Sequence, residues 1–141
     1  MQTVEMSNLF TWDETYSVNV MKIDAQHKHL IDLVNELHAE MSKGQGKTVL
    51  GKTLGKLIDY TANHFATEET YFELYGYTDA AAHKKEHAAL VDKVVAFRTD
   101  FSNGKVGISI EVMNFLRDWL RDHIKGSDKK YSTLFNSKGL K

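Results

Sequence analysis

The sequence predicts an all-α protein, an up-down-up-down antiparallel four-helix bundle with an irregular N-terminal arm. Three observations lead there. No proline occurs in the 141 residues, and proline is the residue that interrupts helix interiors. Apolar residues recur at spacings of three and four through four long segments, the pattern of helices that bury one face. Glycine-bearing turns separate those segments, and short connections place consecutive helices side by side and antiparallel. Few stretches alternate with period two, so little or no sheet is expected.

Residues 1 to about 18 read as an arm whose Phe10, Trp12 and Tyr16 pack across the helices. Asp24 serves as N-cap or first-turn acid of a first helix that runs to about Ser42. Its apolar stripe is Ile23, His27, Leu30, Ile31, Val34, Leu37 and Met41. The glycines of KGQGK, from Lys43 to Lys47, end it. A second helix spans about Thr48 to Tyr75, with Leu50, Leu54, Leu57, Thr61, His64, Glu68 and Phe72 in one row. Gly51 and Gly55 each weaken it by up to ~1 kcal/mol relative to alanine, and Gly76 closes it. A third helix covers about Asp79 to Asn103, with His83, His87, Leu90, Val94, Phe97 and Phe101 along its inner face. Asn103-Gly104 ends it, and a fourth helix begins near Ile108 and runs to Gly126. Val112, Leu116, Trp119, Leu120 and His123 share its face. The tail beyond Asp128, with Tyr131, Leu134 and Phe135, is expected to fold back as a short cap. The whole chain, 1–141, then reads as one domain: arm 1–18, bundle about 19–127, tail 128–141.

Composition narrows the function. Apolar content of 42% and charged content of 26% are those of a soluble globular protein. A net charge near −1 with scattered basic residues argues against nucleic acid or an acidic membrane surface as partner. The absence of cysteine rules out disulfides, thiol catalysis and Cys-type metal sites. The start, MQTVEMSNLF, lacks the basic and apolar segments of a signal peptide. No apolar run approaches the ~18 residues of a membrane span. A cytoplasmic monomer is expected.

Histidines and carboxylates at helical spacings carry the chemistry. His64 and Glu68 lie four apart, as do His83 and His87, and residues four apart share a helix face. His123 is followed five residues later by Asp128, and His27 falls in the first stripe. His27 and His83 with His87 stand near the starts of their helices, His64 with Glu68 and His123 near the ends. In an antiparallel bundle those positions meet in one layer. Left unpaired, seven buried polar side chains would cost roughly ten kcal/mol, comparable to the whole stability of a domain. Five imidazoles and two carboxylates are better satisfied by cations, and they exceed what one tetrahedral zinc needs. A dinuclear centre of iron, manganese or zinc follows. His29, out of phase, and His38, on the edge, are assigned no metal role.

Two local motifs mislead. Gly46 to Thr53 fits the phosphate-loop pattern G-x-x-x-x-G-K-[ST], but that loop needs a preceding strand and here follows a helix. His83-Lys84-Lys85-Glu86-His87 fits the inverted zinc-protease pattern H-x-x-E-H, which leaves the other ligating residues without a task. Glu86 reads as a solvated neighbour. Phe65, Trp119, Leu120 and Ile124, one turn from a ligating residue, are candidates for lining a ligand cavity.

Taken together, these segments resemble the hemerythrin family, specifically its single-domain bacterial members. The matching stretches are F-T-W from Phe10, I-D-A-Q-H-K-H-L around His27, H-F-A-T-E-E from His64, H-K-K-E-H from His83, and W-L-R-D-H-I-K-G-S-D from Trp119. The resemblance covers roughly Phe10 to Tyr131 and fills all seven ligand positions of the family pattern. It implies a non-haem di-iron centre in which His83, His87 and His123 hold one iron, and His27 and His64 the other. Glu68 and Asp128 would bridge both, beside a solvent-derived oxo or hydroxo group. The implied function is reversible dioxygen binding for storage, transport or delivery, with no catalytic residue and dioxygen as ligand. An oxygen-consuming enzyme is the kind of partner such a role would serve. A di-iron oxidase or peroxidase is the alternative, favoured by a polar entrance or an extra carboxylate; only Glu69 stands close, and it points off the core face. An oxygen or iron sensor is a third reading. Sensors of this family usually carry a fused signalling module, and this chain ends a few residues after the bundle.

Overall fold

The computed structural model describes residues 9–44, 46–105, 107 and 110–141. The first part of the expected arm, Gln45 and the expected fourth-helix start at Ile108 lie outside these residues. Five helices follow a short 3-10 turn at Glu14–Tyr16. They are α1 (Met21–Ser42), α2 (Lys47–Tyr75), α3 (Ala80–Ser102), α4 (Ile110–Asp122) and α5 (Ser132–Ser137). No strand occurs among the described residues. α1 packs on α2 and α4, and α2 packs on α3. The first four helices form the antiparallel bundle that the periodicity predicts, with α5 as an added cap.

The apolar rows explain why these segments are helices and how they meet. Leu30, Ile31, Val34 and Leu37 of α1 are buried against Leu54, Leu57, Ile58 and Phe65 of α2 and Met113, Leu116 and Leu120 of α4. Phe10 and Tyr16 of the arm join this core, and Trp12 packs at its edge. Asn35 holds the arm down from α1: its Oδ1 accepts from the Phe10 N–H at 2.9 Å, and its Nδ2 donates to the Phe10 carbonyl at 2.7 Å. Gly55 is explained by proximity rather than flexibility. A Cβ there would stand 3.2 Å from the Arg98 guanidinium, so the small residue lets α3 come close. Gly76, at φ 68°, ends α2 in the left-handed region that favours glycine, and the Tyr77 N–H closes back on the Phe72 carbonyl.

Several details depart from the expected reading. Of the two readings for Asp24, it is the first-turn acid of α1 and not the N-cap, which is Val20. The Asp24 carboxylate accepts from the Val18 N–H at 2.8 Å and the Ser17 hydroxyl at 2.6 Å, pinning the strap that enters the helix. Phe97 and Val112 are only half-buried. The fourth helix does not run regularly to Gly126. α4 stops at Asp122 and passes into a π-helical turn, His123–Ser127, then a 3-10 turn, Asp128–Tyr131.

The tail folds back as expected. Tyr131 and Phe135 are fully buried with Val18, Val20, Ile23 and Phe72 in a second apolar cluster at the ligand end of the bundle. The Ser132 hydroxyl donates to the Val18 carbonyl at 2.6 Å, tying the cap to the arm. Because Phe135 anchors this cluster, Phe135→Ala is expected to cost about 3–5 kcal/mol. Denaturant unfolding of the metal-free protein measures it; an unchanged midpoint would contradict the anchoring role.

Candidate metal centre

All seven candidate ligands converge at the capped end. His27 comes from the first turns of α1, His64 and Glu68 from the late turns of α2, and His83 and His87 from the first turns of α3. His123 and Asp128 flank the π-helical turn. That turn answers the odd five-residue spacing. In a regular helix, residues five apart point to different faces; an i→i+5 turn brings them back to one. The Asp128 N–H bonds the His123 carbonyl, and both side chains enter the same layer. His27, His64, His83, His87 and His123 are buried, and Glu68 and Asp128 are 0% exposed. His29 is exposed and His38 half-buried, outside the layer.

The ligating atoms fall into two groups, each with its members within 4.8 Å of one another. One is His83, His87, His123, Glu68 and Asp128; the other is His27, His64, Glu68 and Asp128. The two carboxylates belong to both, which is the placement a bridging ligand requires. Glu68 Oε1 lies 3.1 Å from His87 Nε2 and 3.6 Å from His64 Nε2. Asp128 Oδ1 lies 2.8 Å from His83 Nε2 and 3.1 Å from His123 Nε2, and Oδ2 lies 3.0 Å from His27 Nε2.

Behind the imidazoles stand partners that sequence reasoning missed. His64 Nδ1 donates to Gln26 Oε1 at 2.6 Å, His87 Nδ1 to Glu69 Oε2 at 2.9 Å, and His123 Nδ1 to Glu86 Oε1 at 2.8 Å. The reading of Glu86 as a solvated neighbour is therefore corrected. It is half-exposed, yet it also accepts from the Ser127 hydroxyl at 2.6 Å and fixes the His123 ring. Glu69 likewise leaves its own helix face and reaches His87. A second missed residue is Tyr131, whose hydroxyl donates to Glu68 Oε2 from the cap.

These partners test whether metal fits. Glu69 and Glu86 only accept, so the proton of each neutral imidazole is spent at Nδ1. His87 Nε2 and His123 Nε2 then present bare lone pairs to carboxylate oxygens 3.1 Å away. Lone pair facing lone pair is repulsive unless a positive charge lies between. His27 Nε2, His87 Nε2, His123 Nε2, Glu68 Oε1 and Asp128 Oδ2 are all buried with no hydrogen-bond partner among the described residues. One metal ion satisfies several such atoms at once, and imidazole with carboxylate suits iron, manganese or zinc.

The electrostatics agree. Burial pushes the His64 imidazole down to about 4, against the attraction of Glu68. Burial and the Asp128 charge work to raise Glu68, but the neighbouring imidazoles hold it below its usual range. Burial opposes ionisation of Asp128 as well, and His123, His27 and His83 outweigh it and hold it well below. For His123, burial is overcome by Asp128, and the ring is raised. Tyr131 is pushed well above its usual value by burial, then by the Asp128 and Glu68 charges, so it stays a donor. Two anionic carboxylates in a dry layer call for cationic charge there.

Aromatic rings pack on two of the imidazoles. Phe65 stacks on His87 with centroids 3.7 Å apart, and Trp119 on His123 at 4.4 Å. Ile124 is buried beside His123. Leu120 lines a cavity of about 20 Å³ one turn beneath the layer, with Val34, Leu57, Ile58, Thr61, Leu90, Val94 and Leu116. The Thr61 hydroxyl already donates to the Leu57 carbonyl at 2.7 Å, so the lining is effectively apolar. Neither decoy motif gains support. No strand precedes Gly46 among the described residues, and Lys47 Nζ donates to the Ser102 carbonyl at 2.7 Å; His83 and His87 belong to the seven-residue layer.

Comparison with known proteins places the chain. The family profile of the Hemerythrin HHE cation binding domain matches residues 19–135. The bacteriohemerythrin of Methylococcus capsulatus is 40% identical over 124 residues, covering 87% of this chain and 94% of that protein. That of Stenotrophomonas maltophilia is 35% identical, covering 88% and 80%. A hemerythrin-like protein of Naegleria gruberi is 31% identical, covering 86% and 90%. The crystal structure of a wild-type hemerythrin superposes with a TM-score of 0.86 at 39% identity, covering 89% of this chain and 97% of that one. The helix order, the buried histidine–carboxylate layer and these likenesses agree: the chain belongs to the hemerythrin family.

Proposed function

We propose that this chain binds dioxygen reversibly at two iron ions, as a store or carrier rather than an enzyme. The observation that carries the proposal is the unequal pair of donor groups sharing two buried carboxylates. His83, His87 and His123 would hold one iron and His27 and His64 the other, with Glu68 and Asp128 available to both and a solvent-derived oxo or hydroxo group expected beside them. The His27–His64 position offers one protein donor fewer, so an iron held there would have a place for a ligand. A bound di-iron pair supplies the electrons and the open coordination position for dioxygen.

The chain's own residues do the rest. Glu68 and Asp128 set the separation of the two positions, and Tyr131 fixes one Glu68 oxygen. The apolar cavity beside Leu120 favours a small neutral diatomic over water, since a water there would find no free polar partner. Phe65, Trp119, Leu120 and Ile124 keep the layer dry, which disfavours escape of charged products. Glu69, the carboxylate nearest to what an oxidase or peroxidase reading needs, stands behind His87 in the five-donor group and not at the His27–His64 position. That placement favours the carrier over that alternative.

The direct test is to load the protein with iron, reduce it without oxygen, admit oxygen, and remove it again. A visible absorption band appearing at one oxygen per two irons and vanishing on deoxygenation is expected. Rapid irreversible oxidation would overturn the carrier reading.

Metal removal adds a pH dependence. In the metal-free fold His64 titrates at about 4, below its ordinary 6.5. The unfolded chain then binds more protons across that window, so stability falls as pH drops from 6.5 towards 4. The loss from this group is about 3 kcal/mol. His123, raised in the fold, adds no slope there because it is protonated in both states below 6.5. Thermal unfolding of the metal-free protein across pH should show the fall. His64→Gln should flatten it, and an unchanged slope in that variant would contradict the assignment.

A further inference from the structure

The two donor groups are backed unequally from outside. In the five-donor group, two of three histidines lean on carboxylates: His87 on Glu69 and His123 on Glu86. In the four-donor group, His64 leans on the neutral amide of Gln26, and His27 Nδ1 has no partner among the described residues. An anionic acceptor behind an imidazole makes its other nitrogen a stronger ligand, and charge-assisted hydrogen bonds are about twice as strong as neutral ones.

Both carboxylates are partly open to solvent. The Glu69 side chain is 32% exposed and that of Glu86 46%. Glu69 lines a surface hollow of about 450 Å³ with Phe65 and Lys84. Glu86 lines another of about 240 Å³ with Tyr77, Ser127 and Lys130. Each thus touches water on one side and a buried imidazole on the other. Such a residue delivers negative charge to the layer without bearing the burial that Glu68 and Asp128 bear. Ser127, itself inside the π-helical turn, locks Glu86 in place.

We propose that Glu69 and Glu86 are positioning residues that act through their charge on His87 and His123. They make the five-donor position the first to take up metal and the last to release it, while Gln26 leaves the His27–His64 position the weaker. The inference rests on the two-metal reading above. It gives the open position a second property: it is the one that empties first when metal is scarce.

The test is an anaerobic titration of the metal-free full chain with cobalt(II), followed by visible absorption and calorimetry. Wild type is expected to fill in two steps. Glu69→Gln and Glu86→Gln keep the acceptor and remove only the charge. Each is expected to weaken the first step roughly ten- to a hundred-fold and leave the second in place. Gln26→Glu is expected to strengthen the second step by a similar factor, a gain that impaired folding cannot produce. Gln variants that bind like wild type, with only Glu69→Ala and Glu86→Ala weakened, would reduce the role to geometry and overturn the proposal. So would a second step unmoved by Gln26→Glu. A wild type that takes up a single cobalt ion would instead sink the two-metal reading itself.

Discussion

Two carboxylates with no solvent exposure, set among five imidazoles, are the constraint on which the rest of the structure depends. Burying one ionised carboxylate is costly unless it is paired and hydrogen-bonded. Burying two of the same sign in one layer is untenable without compensating charge. Protons alone serve poorly, because the Nδ1 protons of His64, His87 and His123 point outward to Gln26, Glu69 and Glu86. In the neutral rings the inward nitrogens of His87 and His123 are left as lone pairs, and the raised His123 shows the same demand for positive charge. Cations that several of these atoms share are the simplest arrangement that lets the layer stay both buried and anionic.

The fold reads as a means of holding that layer. Antiparallel helices bring two starts and two ends to one level, so that pairs four residues apart face each other across the bundle. The π-helical turn re-aims Asp128 into line with His123, and the 3-10 turn and α5 then close the end with Tyr131 and Phe135. The cap is thus more than a lid. It supplies the hydroxyl on Glu68 and the apolar cluster that keeps water from the carboxylates. Below the layer the lining turns apolar, leaving a small space suited to a neutral ligand.

Much of this was legible from the sequence, because helix period and burial are encoded locally. The stripe of α1 predicts most of its buried face, though Met41 is half-buried and Leu33 is buried outside the stripe, and the rows of α2 and α3 place His64, Glu68, His83 and His87 together. The partners of the imidazoles escaped for one physical cause. Glu69 and Glu86 lie off the inner face of their helices, where position in the period suggests solvent. Their long side chains reach imidazoles on neighbouring helices, a contact fixed only by packing. Gln26 escaped for the same reason. The π-helical turn was hidden because a single inserted residue looks like a regular helix with an odd spacing; the five-residue step from His123 to Asp128 was its only trace. The Asp24 carboxylate, a first-turn acid as one of its two readings had it, also pins the preceding strap through Ser17 and Val18.

The central claim, that two metal ions complete the buried layer, is tested most directly by X-ray absorption at the iron edge of iron-loaded protein, with metal content measured on the same sample. Two irons per chain, with a short metal–metal vector and both imidazole and carboxylate scattering, is the result this account predicts. One iron per chain without a metal–metal vector would contradict it.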